Sequence, residues 1–422
     1  MSKLLPPGAN LEFYKKEAKR LLANYRAQKP RALALAKKYQ GTASASFSLH
    51  DAQLVIARQH QFPSWAKMKA HIEFGPVKQA LLAALEGNDL PRTREILAEH
   101  PALLHENVRS IDWGPPMAVA ALCGHEEMVR ELRGLGARDV QKAFGRSLLR
   151  GNASMEGIAR FLISEGADPK ADPGNSPLFG TAETLNANGF RFLLGLGLDP
   201  HPHKPNPDGT SFSTPLGWLF GAYVRQPPAK AECLSVLWEA GVRWPDTPVT
   251  AIYANRPDLL IAHLRQDPEL IHRRLSQGEI FLPELGYTGG AEWAPLVGGT
   301  LLHLALDQKN LELAQLLLGE GADINARALV AEDGIGGHPP TFHAVIDNTT
   351  GDVAAATTWC LDRGADLTVR ATLRQLIPWM DEPPLGERFP DVTPLDFATR
   401  FVPCNFANLA AIPILKERGG IE

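Results

Sequence analysis

Cysteine is scarce in this chain. The 422 residues hold Cys123, Cys233, Cys360 and Cys404, widely scattered and with no CxxC pair, which argues against a disulfide framework or a zinc site and leaves them as small buried apolar residues. Long apolar runs are missing too. No stretch of about 18 apolar residues occurs, and the start, MSKLLPPGANLEFYKK, has no apolar h-region, so neither a membrane span nor a secretory leader is expected and the chain reads as cytoplasmic. The catalytic signatures are equally thin. There is no G-x-S-x-G, no H-E-x-x-H and no cysteine beside a plausible histidine partner. The Gly-rich EDGIGG at 332–337 follows no strand, lacks the Lys-Ser/Thr of a phosphate-binding loop and lacks the alternating carboxylates of a calcium loop. No cofactor and no metal are implied.

What is present points to a soluble repeat protein. An apolar share of 44% with 21% charged residues is ordinary for a folded chain, and 422 residues exceed one usual core, so the chain is either multidomain or an array. A charge asymmetry divides it. Residues 1–74 carry 13 Lys/Arg against 4 Asp/Glu, a net +9, while the remainder is net −13. The first segment spaces Leu11, Tyr14, Ala18, Leu21, Leu22 and Tyr25 on one helical stripe with lysines and arginines opposite, and three further helices follow, the last with Trp65, Met68 and Ile72 turned inward. Few aromatics are free there to stack on bases, so a solvated helix face outweighs a nucleic-acid footprint.

Gly299 to Arg327, GTLLHLALDQKNLELAQLLLGEGADINAR, places two short amphipathic helices around a tight loop at 308–311, ahead of a Gly-Ala-Asp exit. With its Thr-Leu-Leu-His opening, this stretch resembles an ankyrin repeat of about 33 residues. About nine such units are expected over 76–422. The combination of LPPGANLEFYKKEAKRLL with DAQLVIARQHQFPSWAKMKAHIE is similar to a helical region that precedes ankyrin repeats in a group of bacterial proteins. The resemblance implies an all-α solenoid of helix-turn-helix repeats with long finger loops, behind an N-terminal helical cap at 1–74.

Opening tetrads at Pro115, Ser176, Thr214, Thr300, Pro340 and Thr393 lie 61, 38, 86, 40 and 53 residues apart. The excess length falls between repeats, at 276–298, 328–337 and 371–391, with a shorter insert at 202–213. In the ankyrin family these positions are hairpin fingers, which a stack would set along one edge. The three longer fingers hold Tyr287, Trp293 and Trp379 with nine carboxylates, among them Glu292, Asp333, Asp381 and Glu382, against Arg374 and Arg388, a net −7. Aromatics in an acidic setting suit recognition of a basic or polar protein or peptide partner with exposed Lys/Arg.

Arg327 and Arg370 stand one repeat apart at finger roots and are expected to form internal ion pairs or to hold an anionic group. His303 and Asp396 read as structural residues of their tetrads. His343 differs: Pro340 replaces the usual Thr, so the ring loses a local partner. Tyr287, Glu292, Trp293, Arg327, Asp333, His338, Arg370, Trp379, Asp381 and Glu382 are thus the expected binding residues of a scaffold. The alternatives are an enzyme acting on a polar small molecule, perhaps a sugar, with Asp333, His338, His343 and Asp381 as acid/base groups, and nucleic-acid binding through residues 1–74.

Overall fold

A computed structural model describes residues 5, 9–40, 47–108, 113–172, 176–206, 209–289, 292–346, 354–375, 388–400 and 407–421. The chain forms two compact units, residues 1–143 and 144–422, dividing inside helix α8 (Val140–Ser147).

In the first unit, α1 (Leu11–Arg26), α2 (Pro30–Gln40), α3 (Leu49–Gln59) and α4 (Trp65–Glu86) enclose a small core of Tyr14, Ala18, Leu21, Tyr25, Val55 and Met68, with Trp65 and Ile72 partly buried against it. Local chemistry starts each helix. Asn10 caps α1 by accepting the Glu12 amide, and Ser48 and Asp51 form a reciprocal capping box at α3. The domain boundary expected near residue 75 falls inside α4, which runs on through Gly75 and Pro76. Two helix pairs of repeat type follow, α4 with α5 (Leu90–Glu99) and α6 (Pro116–Cys123) with α7 (Glu126–Gly134). Gly124 ends α6 in the left-handed region at φ +79°, a conformation that costs glycine little.

The second unit repeats the pairing. Its short first helices are α10 (Pro177–Glu183), α12 (Pro215–Phe220), α14 (Pro248–Tyr253), α17 (Leu301–Asp307), α19 (Thr341–Ala344) and α21 (Pro394–Arg400). Their partners are α11 (Ala187–Gly195), α13 (Pro227–Glu239), α15 (Pro257–Gln266), α18 (Leu311–Gly319), α20 (Ala355–Leu361) and α22 (Ala411–Glu417), and α9 (Met155–Ser164) precedes them. First helices meet their neighbours, α10 on α12, α14 on α17 and α17 on α19, because none buries both its faces within its own pair. Thr247-Pro248-Val249-Thr250 opens α14 with a capping box of its own, a helix start unrecognised in the sequence.

The architecture is mostly helical rather than all-α. Antiparallel ribbons occupy two fingers: β1 (Lys204–Pro205) with β2 (Phe212–Ser213), and β3 (Ala371–Arg374) with β4 (Arg388–Val392), paired as Lys204 with Ser213 and Leu373 with Phe389. A finger of such length must pair its own backbone groups, and strand pairing does so. Among the described residues no helix is long and apolar enough to cross a membrane.

Leu317 is fully buried in α18, which packs against α17. Leu317→Ala should therefore cost about 2–5 kcal/mol, read as a lower urea midpoint by circular dichroism.

Candidate functional site

The fingers of three successive pairs are joined by backbone hydrogen bonds. The Gly298 amide donates to Leu275 O and the Leu329 amide to Gly298 O; Val330 bridges Gly336, whose amide donates to Thr372 O in β3. Backbone bonds thus tie the described parts of neighbouring connectors to one another. An arginine relay reinforces them: Arg274 Nε donates to Arg327 O (2.9 Å), Arg327 Nη2 to Arg370 O (2.8 Å), and Arg370 Nη1 to Asp391 O (2.9 Å). Arg327 Nε also reaches Gly337 O, and Arg370 lies 3.4 Å from Asp396. Arg327 thus holds a carbonyl of its own finger and one at the root of the next, and Arg370 holds a carbonyl of its own finger beside the Asp391 and Asp396 carboxylates, the internal ion pairing expected of it.

The acidic surface is partly compensated. Asp333 pairs with Arg374 at 3.5 Å while its carbonyl accepts from Arg388, and Asp391 sits 3.7 Å from Arg370. Trp379, Asp381 and Glu382 lie outside the described residues. Three apolar side chains that sequence reasoning missed stand out along the joined fingers: Val297, Leu329 and Val330 are 41%, 61% and 63% exposed. The only hint was position, since each lies within two residues of a finger glycine or finger root.

Tyr287 and Trp293, expected on an exposed recognition surface, are instead buried. For Tyr287 the reason lies in α12, which opens with Thr214-Pro215-Leu216-Gly217 where α17 has His303 in the fourth place. A Cβ on Gly217 would stand 2.2 Å from Gly286 O, so the space left by the missing side chain holds the backbone of the 276–298 finger. Thr214 Oγ1 donates to Leu285 O at 2.6 Å, and Gly286 makes the turn at φ +76°. Tyr287 then packs among Phe220, Tyr253 and Phe281. Trp293 lies against the Arg225 guanidinium, 5.4 Å from ring centre to carbon.

Beneath this strap is a buried charged network. Arg225 Nη2 donates to Asp307 Oδ2 at 2.9 Å, with both side chains about 4% exposed or less, and its other nitrogens reach Ala222 O and Asp307 O. Gln308 donates to Asp307 and accepts from Lys230 Nζ at 2.6 Å. Burial lowers the Lys230 amine well below its ordinary value, and the Arg225 charge adds to that. Burial alone would raise the Asp307 carboxyl; Arg225 and then His343 hold it below the usual carboxylate range. Glu292 is pushed up to about 7 by burial and by the Asp307 charge, against the pull of Arg374. Arg225, Lys230 and Asp307 were not foreseen; the longer connector ahead of Pro227-Pro228 was their one sequence signal.

Three histidines flank the network. His303 plays the structural part expected of it: Nδ1 accepts the Thr300 amide at 3.0 Å, which leaves Nε2 to donate to His338 O at 3.1 Å. Burial, then His343, lowers its ring to about 3. Pro340 offers the following repeat neither hydroxyl nor amide, so His343 turns elsewhere, with Nδ1 3.5 Å from Asp307 Oδ1. His338 donates from Nε2 to Pro295 O. Of the suggested acid/base set, His338 and His343 are buried with 5.4 Å between ring centres, Asp333 is exposed and paired with Arg374, and Asp381 lies outside the described residues.

Residues 297–329 match the Ankyrin repeat family model. No curated protein matches the sequence.

Two outcomes test the network. Asp307→Ala strands a buried guanidinium and should cost about 3–5 kcal/mol by denaturant unfolding, with Arg225→Met/Asp307→Leu recovering most of the loss. Glu292 binds its proton more tightly folded than unfolded, so its contribution to stability falls as pH rises from its ordinary value of 4.5 to about 7. Glu292→Gln should flatten that slope in unfolding midpoints measured across the window; an unchanged slope would place the titration elsewhere.

Proposed function

From the ankyrin repeat at residues 297–329, we propose that the chain is a solenoid scaffold that binds a protein partner along its joined fingers. An ankyrin repeat supports a protein-interaction role in general. The partner presents an apolar residue flanked by Lys or Arg. The observation that carries this reading is the row of exposed Val297, Leu329 and Val330 on fingers that backbone bonds and the arginine relay hold in register. Exposed apolar side chains on a rigid edge provide anchors, and the exposed carboxylates of Glu332, Asp333 and Asp391 steer a basic segment toward them. The likeness of the N-terminal helices to those preceding ankyrin repeats in bacterial proteins fits the same reading.

Compared with the sequence-based expectation, the contact chemistry moves from aromatic to aliphatic. Tyr287 and Trp293 support the edge from beneath and do not touch the partner. Peptide display against the full chain should enrich segments with an apolar residue between basic ones, and Leu329→Asp/Val330→Asp should weaken them at least about tenfold, or 1.4 kcal/mol. Enriched peptides without Lys or Arg would refute the partner chemistry. Unchanged affinity in the double variant would refute the surface.

A further inference from the structure

Away from the fingers, the helix pairs α12/α13 and α14/α15 leave a cleft of about 460 Å³ between them. Their connector, 240–247, carries no finger. It carries Trp244, whose ring stands 6.2 Å from Phe220 of α12 and 4.9 Å from Trp238 of α13, at 71° to the latter. Leu234, Trp238, Trp244, Ala251, Ala254 and Leu259 supply the apolar lining, and small alanines keep it open. Trp238 remains 44% exposed despite its size. The volume falls within the range of about 300–1,000 Å³ usual for small-molecule sites.

The charged and polar groups around the cleft already have partners within the protein. Asp246 is bonded to His263 Nε2 at 2.9 Å, Arg256 Nε to Asp258 at 2.8 Å, and Ser235 donates to Glu239 at 3.3 Å. Arg243 already lies 4.2 Å over the Trp238 ring, so the indole has its cation. A charged ligand would lose its hydration here and would have to draw these groups away from partners they already hold. Two indoles set at a steep angle over aliphatic walls instead suit a flat ring, which meets one edge to face and the other in offset contact.

We propose that the Trp238–Trp244 cleft binds a small, uncharged, planar aromatic molecule. Asn255, whose Oδ1 accepts from Asn310, and the Ser235 hydroxyl lie on its lining, where they orient a polar substituent. The site is independent of the finger surface and does not rest on the scaffold reading.

N-phenyl-1-naphthylamine, neutral and fluorescent in apolar surroundings, titrated into the full chain should give a saturable signal with one site per chain. Trp238→Ala should weaken it at least tenfold, and Ser235→Trp, which fills the cleft from an exposed position, should abolish it. Trp359→Ala, removing another indole stacked by an arginine, should leave it unchanged. Benzyltrimethylammonium should not compete. Non-saturable signal, titrations indifferent to both cleft variants, or displacement by the quaternary cation would each overturn the assignment.

Discussion

A connector lengthened well beyond a repeat's needs carries backbone amides and carbonyls that must find partners, and this requirement shapes the second unit. The described parts of the 328–337 and 371–391 fingers meet it by bonding to themselves and to their neighbours. The 276–298 finger does so as well, and it also lies across α12 where Gly217 offers no side chain. Arginines at the finger roots satisfy carbonyls that strand pairing leaves over. The finger edge is thus held by polar bonding, and its exposed side chains are free to be apolar.

One tetrad position shows how a single residue alters its surroundings. His303 accepts an amide from its own repeat and donates to the next. Asp396 accepts the Thr393 amide but has no second ring nitrogen to donate. His343, deprived of its local donor by Pro340, faces Asp307 of the preceding pair. Gly217 yields the space to another segment altogether. Asp307 accordingly lies between His343 and Arg225, and the latter supports Trp293. Such a buried ion pair is weak evidence of net stability, since desolvation offsets much of its attraction, but it penalises any packing that separates the partners.

Much of the helical framework was legible because amphipathic spacing and capping act over a few residues. The Thr300–Arg327 pair, the core stripe of α1 and the roles of His303 and Asp396 follow from that local chemistry. The loss of a partner at His343 was legible for the same reason, as proline has no amide. Burial of Tyr287 was not, because it depends on a glycine some 70 residues earlier in sequence, nor was that of Trp293, which packs with Phe342, Leu373 and Phe389 of later elements. Nor could charge counting over three fingers foresee that Arg374 and Arg388 would both meet Asp333.

The sequence by itself determined the apolar stripes of its helices, most of their starts and which connectors are long, since propensity, capping and periodicity act between near neighbours. Only the tertiary structure decided which connector lies over α12, which aromatics are covered and which charges neutralise one another. Those outcomes depend on the space and counter-charge supplied by residues tens of positions away, and spacing along a chain carries no measure of either.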